Sequence, residues 1–431
     1  MSQKRTRREF LRQSALAGAG VWLGACHRHV RVRAPKERLN IAVIGVSGRG
    51  DANFNKVTRE NIVALCDADE RRVEKARKRF PEARFYFDFR RLYDKEMDNI
   101  DAVVISTPDH THAPATMMAL RAGKHVYCEK PLTHSVYEAR VVTRMARKKR
   151  CVTQMGIQIH AENNYRRVVE LIQTEAIGPV REVHVWVGKQ WAGSDRPKET
   201  PSVPEGLHWD VWLGPAPYRP YHPAYVPAAW RGWWDFGGGT LSDMACHYMD
   251  LPHWALGLQY PRTIEAEGPP VHPESAPPWL IVRYEYAARK NQPPVNLTWY
   301  HGGKRPPHFA EGLLPEWGDG VLFVGAKGML LADYNQRVLL PEKDFADFKP
   351  PEPHTPDSIG HHREWIEACK TGGTTTCNFD YSGPLTETVL LGNVAYRTGK
   401  KLEWDAKRLK ATNAPEADRF IRRPYRKGWT L

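Results

Sequence analysis

Apolar and polar positions change their rhythm near residue 160, and the change divides the chain into two kinds of structure. Before it, short apolar runs alternate with mixed stretches. Leu39-Asn40-Ile41-Ala42-Val43-Ile44, Asn61-Ile62-Val63-Ala64-Leu65-Cys66-Asp67, Asp101-Ala102-Val103-Val104-Ile105-Ser106 and His125-Val126-Tyr127-Cys128 read as strands, with helices over Glu70–Phe80 and Ala113–Ala122. Strands alternating with helices at this spacing predict a parallel, doubly wound α/β sheet. From Asn163 a helix to Gln173 leads into Val180–Val187, which alternates as a half-exposed strand should. Alternating segments at 280–287, 295–300 and 321–332, separated by Pro-rich turns, predict a largely antiparallel open sheet with helices on one face, an α+β second domain. Helices at Gly360–Lys370 and Leu385–Thr398 complete its packing. No internal repeat is visible.

Composition fits two ordinary globular domains: 431 residues, 41% hydrophobic and 26% charged. The net charge of +14 is uneven, because residues 1–38 carry ten basic residues against two acidic ones. The remaining body is only mildly basic and holds no nucleic-acid motif, so no nucleic-acid partner is expected. The same N-terminal stretch holds Thr6-Arg7-Arg8-Glu9-Phe10-Leu11, a twin-arginine signal, followed by an apolar run from Ala15 to Ala25. That run is far short of the roughly 20 residues of a membrane span. A signal peptide over 1–25 and a basic linker over 26–38 are therefore expected, with export to the periplasm. Leu23-Gly24-Ala25-Cys26 resembles a lipobox, in which Cys26 becomes a lipid anchor; a plain cleavage site that precedes a Cys is the alternative. None of the seven cysteines forms a C-x-x-C pair, so buried free thiols are expected rather than a zinc site. Asp250, His253 and His184 make no convincing ligand set, and no metal is expected.

The candidate chemistry sits at strand ends. Gly45-x-Ser47-Gly48-Arg49-Gly50 follows the first strand, and its glycines permit a tight turn whose amides approach a pyrophosphate at a helix N-terminus. Ser47 stands where the middle glycine is usual. Asp67 ends the next strand at the offset of a carboxylate that holds ribose hydroxyls, which favours NAD over NADP, although Arg71 and Arg72 lie close by. Glu129-Lys130-Pro131 follows a later strand and points into the same crevice, where Lys130 can polarise a hydroxyl or carbonyl. Beyond Gly237-Gly238-Gly239 a helix carries Asp243 and His247 four residues apart on one face, suiting His247 to general-base work and Asp243 to orienting substrate or imidazole. Trp186, Trp191, Trp209, Trp212, Trp230, Trp233 and Trp234 crowd the segment before that helix. Aromatic faces stack on sugar rings, so Trp230, Trp233 and Trp234, with Arg231, Asp235 and Lys189 for the hydroxyls, are candidate carbohydrate contacts, while more than half of the tryptophans are expected in the core or an interface.

The loop Gly45–Gly50, the tripeptide Glu129-Lys130-Pro131 and the series Gly237-Gly238-Gly239, Asp243, His247 together resemble the glucose-fructose oxidoreductase/inositol dehydrogenase/MocA (Gfo/Idh/MocA) family from about residue 39 to the C-terminus. The resemblance implies an NAD-binding Rossmann domain over 39–160 and a C-terminal domain over 161–431 whose open sheet supports a homo-oligomer. It also implies that Lys130, Asp243 and His247 are catalytic and that Thr107, Pro108, His110, Glu129 and Gln158 flank the nicotinamide. An exported enzyme of this kind must keep and regenerate its cofactor. The expected chemistry is redox-neutral glycoside hydrolysis through transient oxidation of the sugar C3, with Tyr248, Tyr300 and His301 all open as the group acting on the C2 proton. Net dehydrogenation of a sugar or polyol, paired sugar oxidation and reduction, and a catalytically silent sugar-binding lipoprotein are the alternatives.

Overall fold

The computed structural model describes residues 37–289 and 292–431, so the twin-arginine signal, Cys26 and the linker up to residue 36 lie outside the described residues. The described residues form one compact unit. Its first sheet is six-stranded and wholly parallel, in the order β3-β2-β1-β4-β5-β6. The strands are β1 (Asn40–Ile44), β2 (Asn61–Cys66), β3 (Arg84–Tyr86), β4 (Ala102–Ile105), β5 (His125–Glu129) and β6 (Thr153–Gly156). Burial on both faces explains their nearly unbroken apolar runs. Ala42, Ile44, Val103 and Ile105 pack to one side, while Ile41, Val43, Ala102 and Val104 pack to the other. The chain's winding reverses between β1 and β4, and the carboxyl ends of those strands open the crevice in which such sheets bind ligands.

The second sheet has nine strands in the order β13-β12-β11-β7-β10-β9-β8-β14-β15. They are β7 (Val180–Val187), β8 (Thr263–Glu267), β9 (Leu280–Tyr286), β10 (Val295–His301), β11 (Gly320–Gly325), β12 (Met329–Ala332), β13 (Arg337–Leu340), β14 (Leu402–Asp405) and β15 (Lys410–Ala411). Only the central pair β7 and β10 runs parallel, so the sheet is largely antiparallel, as the alternation predicted. The 321–332 segment is two strands, because the chain turns back after Gly325 and β11 pairs antiparallel with β12. Val183, Val185, Leu297 and Trp299 face the helices. Trp186, Tyr300, Leu322 and Leu331 face the other way, against the 302–318 segment through Phe309, Leu314 and Trp317.

Three helices depart from their sequence-based bounds. The expected Glu70–Phe80 helix is a short 3-10 turn at Glu70–Arg72 followed by a helix at Glu74–Arg79; the Glu70 amide donates to the Gly206 carbonyl at 2.9 Å, outside its own helix. Asp109–Arg121 begins ahead of the expected start at Ala113 and runs through Pro114, and Phe379–Thr398 begins before its internal Pro384, ahead of the expected start at Leu385. Asn378 makes the longer Phe379–Thr398 helix possible by accepting the Asp380 and Tyr381 amides on its side chain. That helix is apolar nearly all round and accordingly buried. It packs on the Val136–Lys149 helix beside the parallel sheet, where Glu387 forks with Arg140 at 2.6 and 2.7 Å, and it also packs on β8 and the Gly239–Tyr248 helix. All six described cysteines are free. No described helix is long and apolar enough to cross a membrane.

Candidate functional site

The first part of the site is built where β1 turns into the Arg49–Val57 helix. Gly45 has φ 83°, and a Cβ there would stand 2.7 Å from the Ser106 carbonyl. A Cβ on Gly50 would stand 2.0 Å from the Gly45 oxygen, so both positions demand glycine. No side chain caps the helix that follows, which leaves its N-terminus to an anion. Asp67 accepts the Val46 and Asp69 amides at 3.1 Å each, and burial raises its carboxyl. Ser47, the departure from the usual glycine, sets its hydroxyl 3.4 Å from the same carboxylate. Arg71, one of the two residues that left room for NADP, is forked onto Asp69 at 2.7 and 2.7 Å.

Further into the crevice, Glu129 gathers three donors on one oxygen: Asn53 Nδ2 and Gln158 Nε2 at 2.7 Å, and Arg49 Nε at 3.3 Å. Its other oxygen is buried with no partner. A buried carboxylate oxygen left without a donor is costly unless a ligand supplies one. The glycine cradle, the Asp67 carboxylate and this free oxygen all fit a dinucleotide lying across the strand ends. Thr107 receives the Thr111 hydroxyl at 2.8 Å, and Pro108 precedes the helix that Asp109 begins. His110 has its Nε2 2.8 Å from the Trp212 carbonyl and its ring buried between Trp212 and Phe236. That bond braces the loop, and its buried Nδ1 has no partner.

Lys130, Asp243 and His247 come together at the end of β5. Lys130 Nζ donates to the Asp243 carbonyl at 2.6 Å and to its carboxylate at 2.7 Å. Arg231 Nε and Lys189 Nζ lie 3.1 Å from that carboxylate, and the Trp191 indole donates to it at 2.7 Å. Burial works to raise the Asp243 carboxyl, but Lys130 first and then Arg231 and Lys189 hold it well below the usual carboxylate range. One carboxylate thus faces three cations, and the cluster is net positive. His247, one helical turn on, has a buried Nδ1 without a partner. Burial, reinforced by Lys130, holds its imidazole well below the usual value, so it rests uncharged. Asp109 stands in the electrostatic reach of the same group. It is 5% exposed, and burial pushes its carboxyl up to about 7 against the pull of Arg231 and Lys130.

The expected carbohydrate platform is not where the tryptophan crowding suggested. Trp230, Trp233 and Trp234 are 4–6% exposed and belong to packed clusters. The Trp233 and Trp234 indoles donate to the Ala224 and His272 carbonyls. Asp235 is ion-paired with the buried Arg219. Of the six residues singled out as sugar contacts, Arg231 and Lys189 touch Asp243 directly, with Trp191 beside them. Tyr300 lies on the sheet face turned away from the helices, bonded to His184 at 3.0 Å. His301 is buried and accepts the Trp299 indole at 2.9 Å. Tyr248 donates to Asp319 at 3.2 Å and stacks on Tyr334, whose ring centre is 6.3 Å from that of His247.

Three site residues escaped the sequence reading: Asp109, Asn53 and Trp191. Asp109 was open to discovery, since it directly follows Thr107-Pro108 at a strand end. Asn53 and Trp191 carry no signal beyond lying near a motif. Among the described residues no group of His, Cys, Asp and Glu could hold a metal ion.

Comparison with known proteins bears on this geometry. A family model described as an oxidoreductase family with an NAD-binding Rossmann fold matches residues 39–157, and its companion C-terminal alpha/beta domain matches residues 180–291. The chain is 32% identical over 152 residues to an inositol 2-dehydrogenase of Rubrobacter xylanophilus, covering 34% of this chain and 43% of that one. It is 33% identical over 170 residues to a glycosyl hydrolase family 109 protein of Solibacter usitatus, covering 35% and 38% respectively. The chain therefore spans less than half the length of either relative. In fold it is similar to the WlbA dehydrogenase of Chromobacterium violaceum, solved with NADH and UDP-GlcNAcA, with a TM-score of 0.63, 17% identity, and coverage of 87% of this chain and 99% of that one.

Proposed function

The chain belongs to the Gfo/Idh/MocA oxidoreductase family, and on that premise we propose that it is a sugar-processing enzyme holding NAD tightly, a glycosidase that works without net redox change. The observation that carries this reading is the joint placement of Lys130, bonded to Asp243, and a neutral His247 one helical turn on, at the end of β5. A nicotinamide held there supplies a hydride acceptor that gives the hydride back before product leaves.

The chain's own residues supply the rest. Lys130 has three N–H donors, and two are fixed on Asp243, leaving one for the hydroxyl or ketone oxygen of a sugar. His247, uncharged, takes the hydroxyl proton as the carbonyl forms. Arg231 and Lys189 add positive potential where negative charge develops on that oxygen, first in oxidation and again when the proton beside the ketone departs. Of the three groups open for that second proton, Tyr248 is the one beside His247, with Tyr334 stacked on it. Elimination of the substituent at C1, addition of water and return of the hydride complete a hydrolysis. The family 109 glycosidase relative supports this reading, and the inositol dehydrogenase relative supports the runner-up, net dehydrogenation. Export by the twin-arginine route to the periplasm, a lipid at Cys26 and a homo-oligomer built on the open sheet belong to the same proposal.

The test is to incubate purified protein with aryl glycosides in deuterated water and no added NAD. Aglycone release with deuterium at C2 is expected. Steady growth of NADH absorbance on added NAD, without aglycone release, would establish dehydrogenation instead. Neither outcome over a broad sugar panel would sink both.

A further inference from the structure

One segment of the chain is anchored beside two strand ends of the crevice. Residues 206–214 leave the carboxyl end of β2 and reach that of β4. At the first end, the His208 amide donates to the Ala68 carbonyl and the Glu70 amide to the Gly206 carbonyl, both at 2.9 Å. The same end is latched by side chains: His208 Nε2 lies 2.6 Å from Glu70 Oε1, and its ring stacks on Phe87 at 3.8 Å and 10°. Ala68 and Glu70 closely follow Asp67, the candidate ribose carboxylate, and Phe87 follows the neighbouring strand β3. At the other end, Trp212 offers its carbonyl to His110 at 2.8 Å, and Gly214 presses so closely on Thr111 that a Cβ would stand 2.7 Å from its Cγ2. These partners directly follow Thr107 and Pro108. Between them in the strand order β2-β1-β4 lies the phosphate loop after β1.

The bridge is stiff. Trp209 and Leu213 are buried, Trp209 stacks on Trp212 at 4.8 Å, and Arg426 from the C-terminal end donates to the Gly214 carbonyl at 3.2 Å. In a sheet of this order a dinucleotide lies across the strand ends where the winding reverses, with its pyrophosphate at the loop after β1, between the two anchor points of this span.

We propose that residues 206–214 are a fixed cover over the dinucleotide between Asp67 and Thr107, latched by His208, Glu70 and Phe87, so that the cofactor leaves only when the latch opens. The proposal rests on the reading of the crevice as a dinucleotide site, and it supplies what a redox-neutral cycle needs: a carrier that stays between turnovers. Ligand escape then tracks opening of the latch rather than the strength of the contacts to Asp67 alone.

The test uses the full-length protein, desalted, then incubated with isotopically labelled NAD and sampled by mass spectrometry of the dinucleotide released on denaturation. The wild type should retain bound dinucleotide and exchange it slowly. His208→Ala with Glu70→Gln should exchange at least tenfold faster. Phe87→Leu, at a side chain 43% exposed, should give a smaller acceleration and guards against misfolding of the double variant. Wild-type-like exchange in both variants, or wild-type exchange already complete within the mixing time, would overturn the cover while leaving the dinucleotide site intact. A wild type that neither carries nor takes up labelled NAD would overturn the cover and the dinucleotide reading together.

Discussion

Asp109 carries a carboxyl on which burial and neighbouring cations pull in opposite directions. Its carboxyl is driven from 3.8 up to about 7 by burial, against two cations that pull it back. A carboxyl whose folded value lies above its unfolded value keeps its proton longer in the native state. Stability from this group is therefore fully present below about pH 4, falls as pH rises towards about 7, and is level beyond. The loss is on the order of 4 kcal/mol at most. Asp109→Asn, close in shape and never charged, should match the wild type at acid pH and melt higher than it above neutrality. Differential scanning fluorimetry from pH 4 to pH 9 would show the gap opening; a variant less stable at pH 8 would refute the burial argument. The same residue shows where sequence reading stops. Lys130, Asp243 and His247 were legible because each sits at a fixed place in a motif. Trp230, Trp233 and Trp234 misled because an indole that fills a core looks, in sequence, the same as one that stacks on a sugar.

The helix Asp109–Arg121 makes the corresponding point for elements. Pro114 lies in its interior and has no amide hydrogen, so the His110 carbonyl four residues back has no helical donor. Arg423 fills the gap, its Nη2 2.6 Å from that carbonyl and its Nε 2.8 Å from Glu138. A helix start read at Ala113, next to the proline, was reasonable from local signals, since the compensating donor lies 313 residues away. Arg423→Met should destabilise the protein by about 2–3 kcal/mol, the scale of a charge-assisted bond lost with a buried carbonyl left behind. Adding Pro114→Ala should recover about 1 kcal/mol of that, because the new amide can serve the His110 carbonyl directly. Urea melts of the four members of this cycle measure the coupling. Strict additivity would mean that the arginine acts only through Glu138.

Across the whole molecule, the two sheets that periodicity distinguishes so clearly do not own separate cores. One face of the parallel sheet is covered by Trp365, Ile366, Ala368 and Cys369 from the His361–Thr371 helix, far beyond the 160 boundary. That helix is tied to the start of β2 by Lys370, 2.8 Å from the buried Glu60. The other face continues without a break through the Phe379–Thr398 helix into the antiparallel sheet. Periodicity reports that a face is apolar and says nothing about what will cover it, so the strand orders were within reach and the shared core was not. Residues 37–160 expressed alone would expose both faces and lose the partners of Glu60 and Arg140. Unpaired buried charges of that kind cost about 3–5 kcal/mol each, comparable to the whole stability of a typical domain when two are combined. The isolated fragment should therefore lack a cooperative thermal transition by near-ultraviolet circular dichroism, while the intact chain melts in a single step. A fragment that melts cooperatively, or an intact chain with two well-separated transitions, would show that the nucleotide-binding half stands without its C-terminal helices.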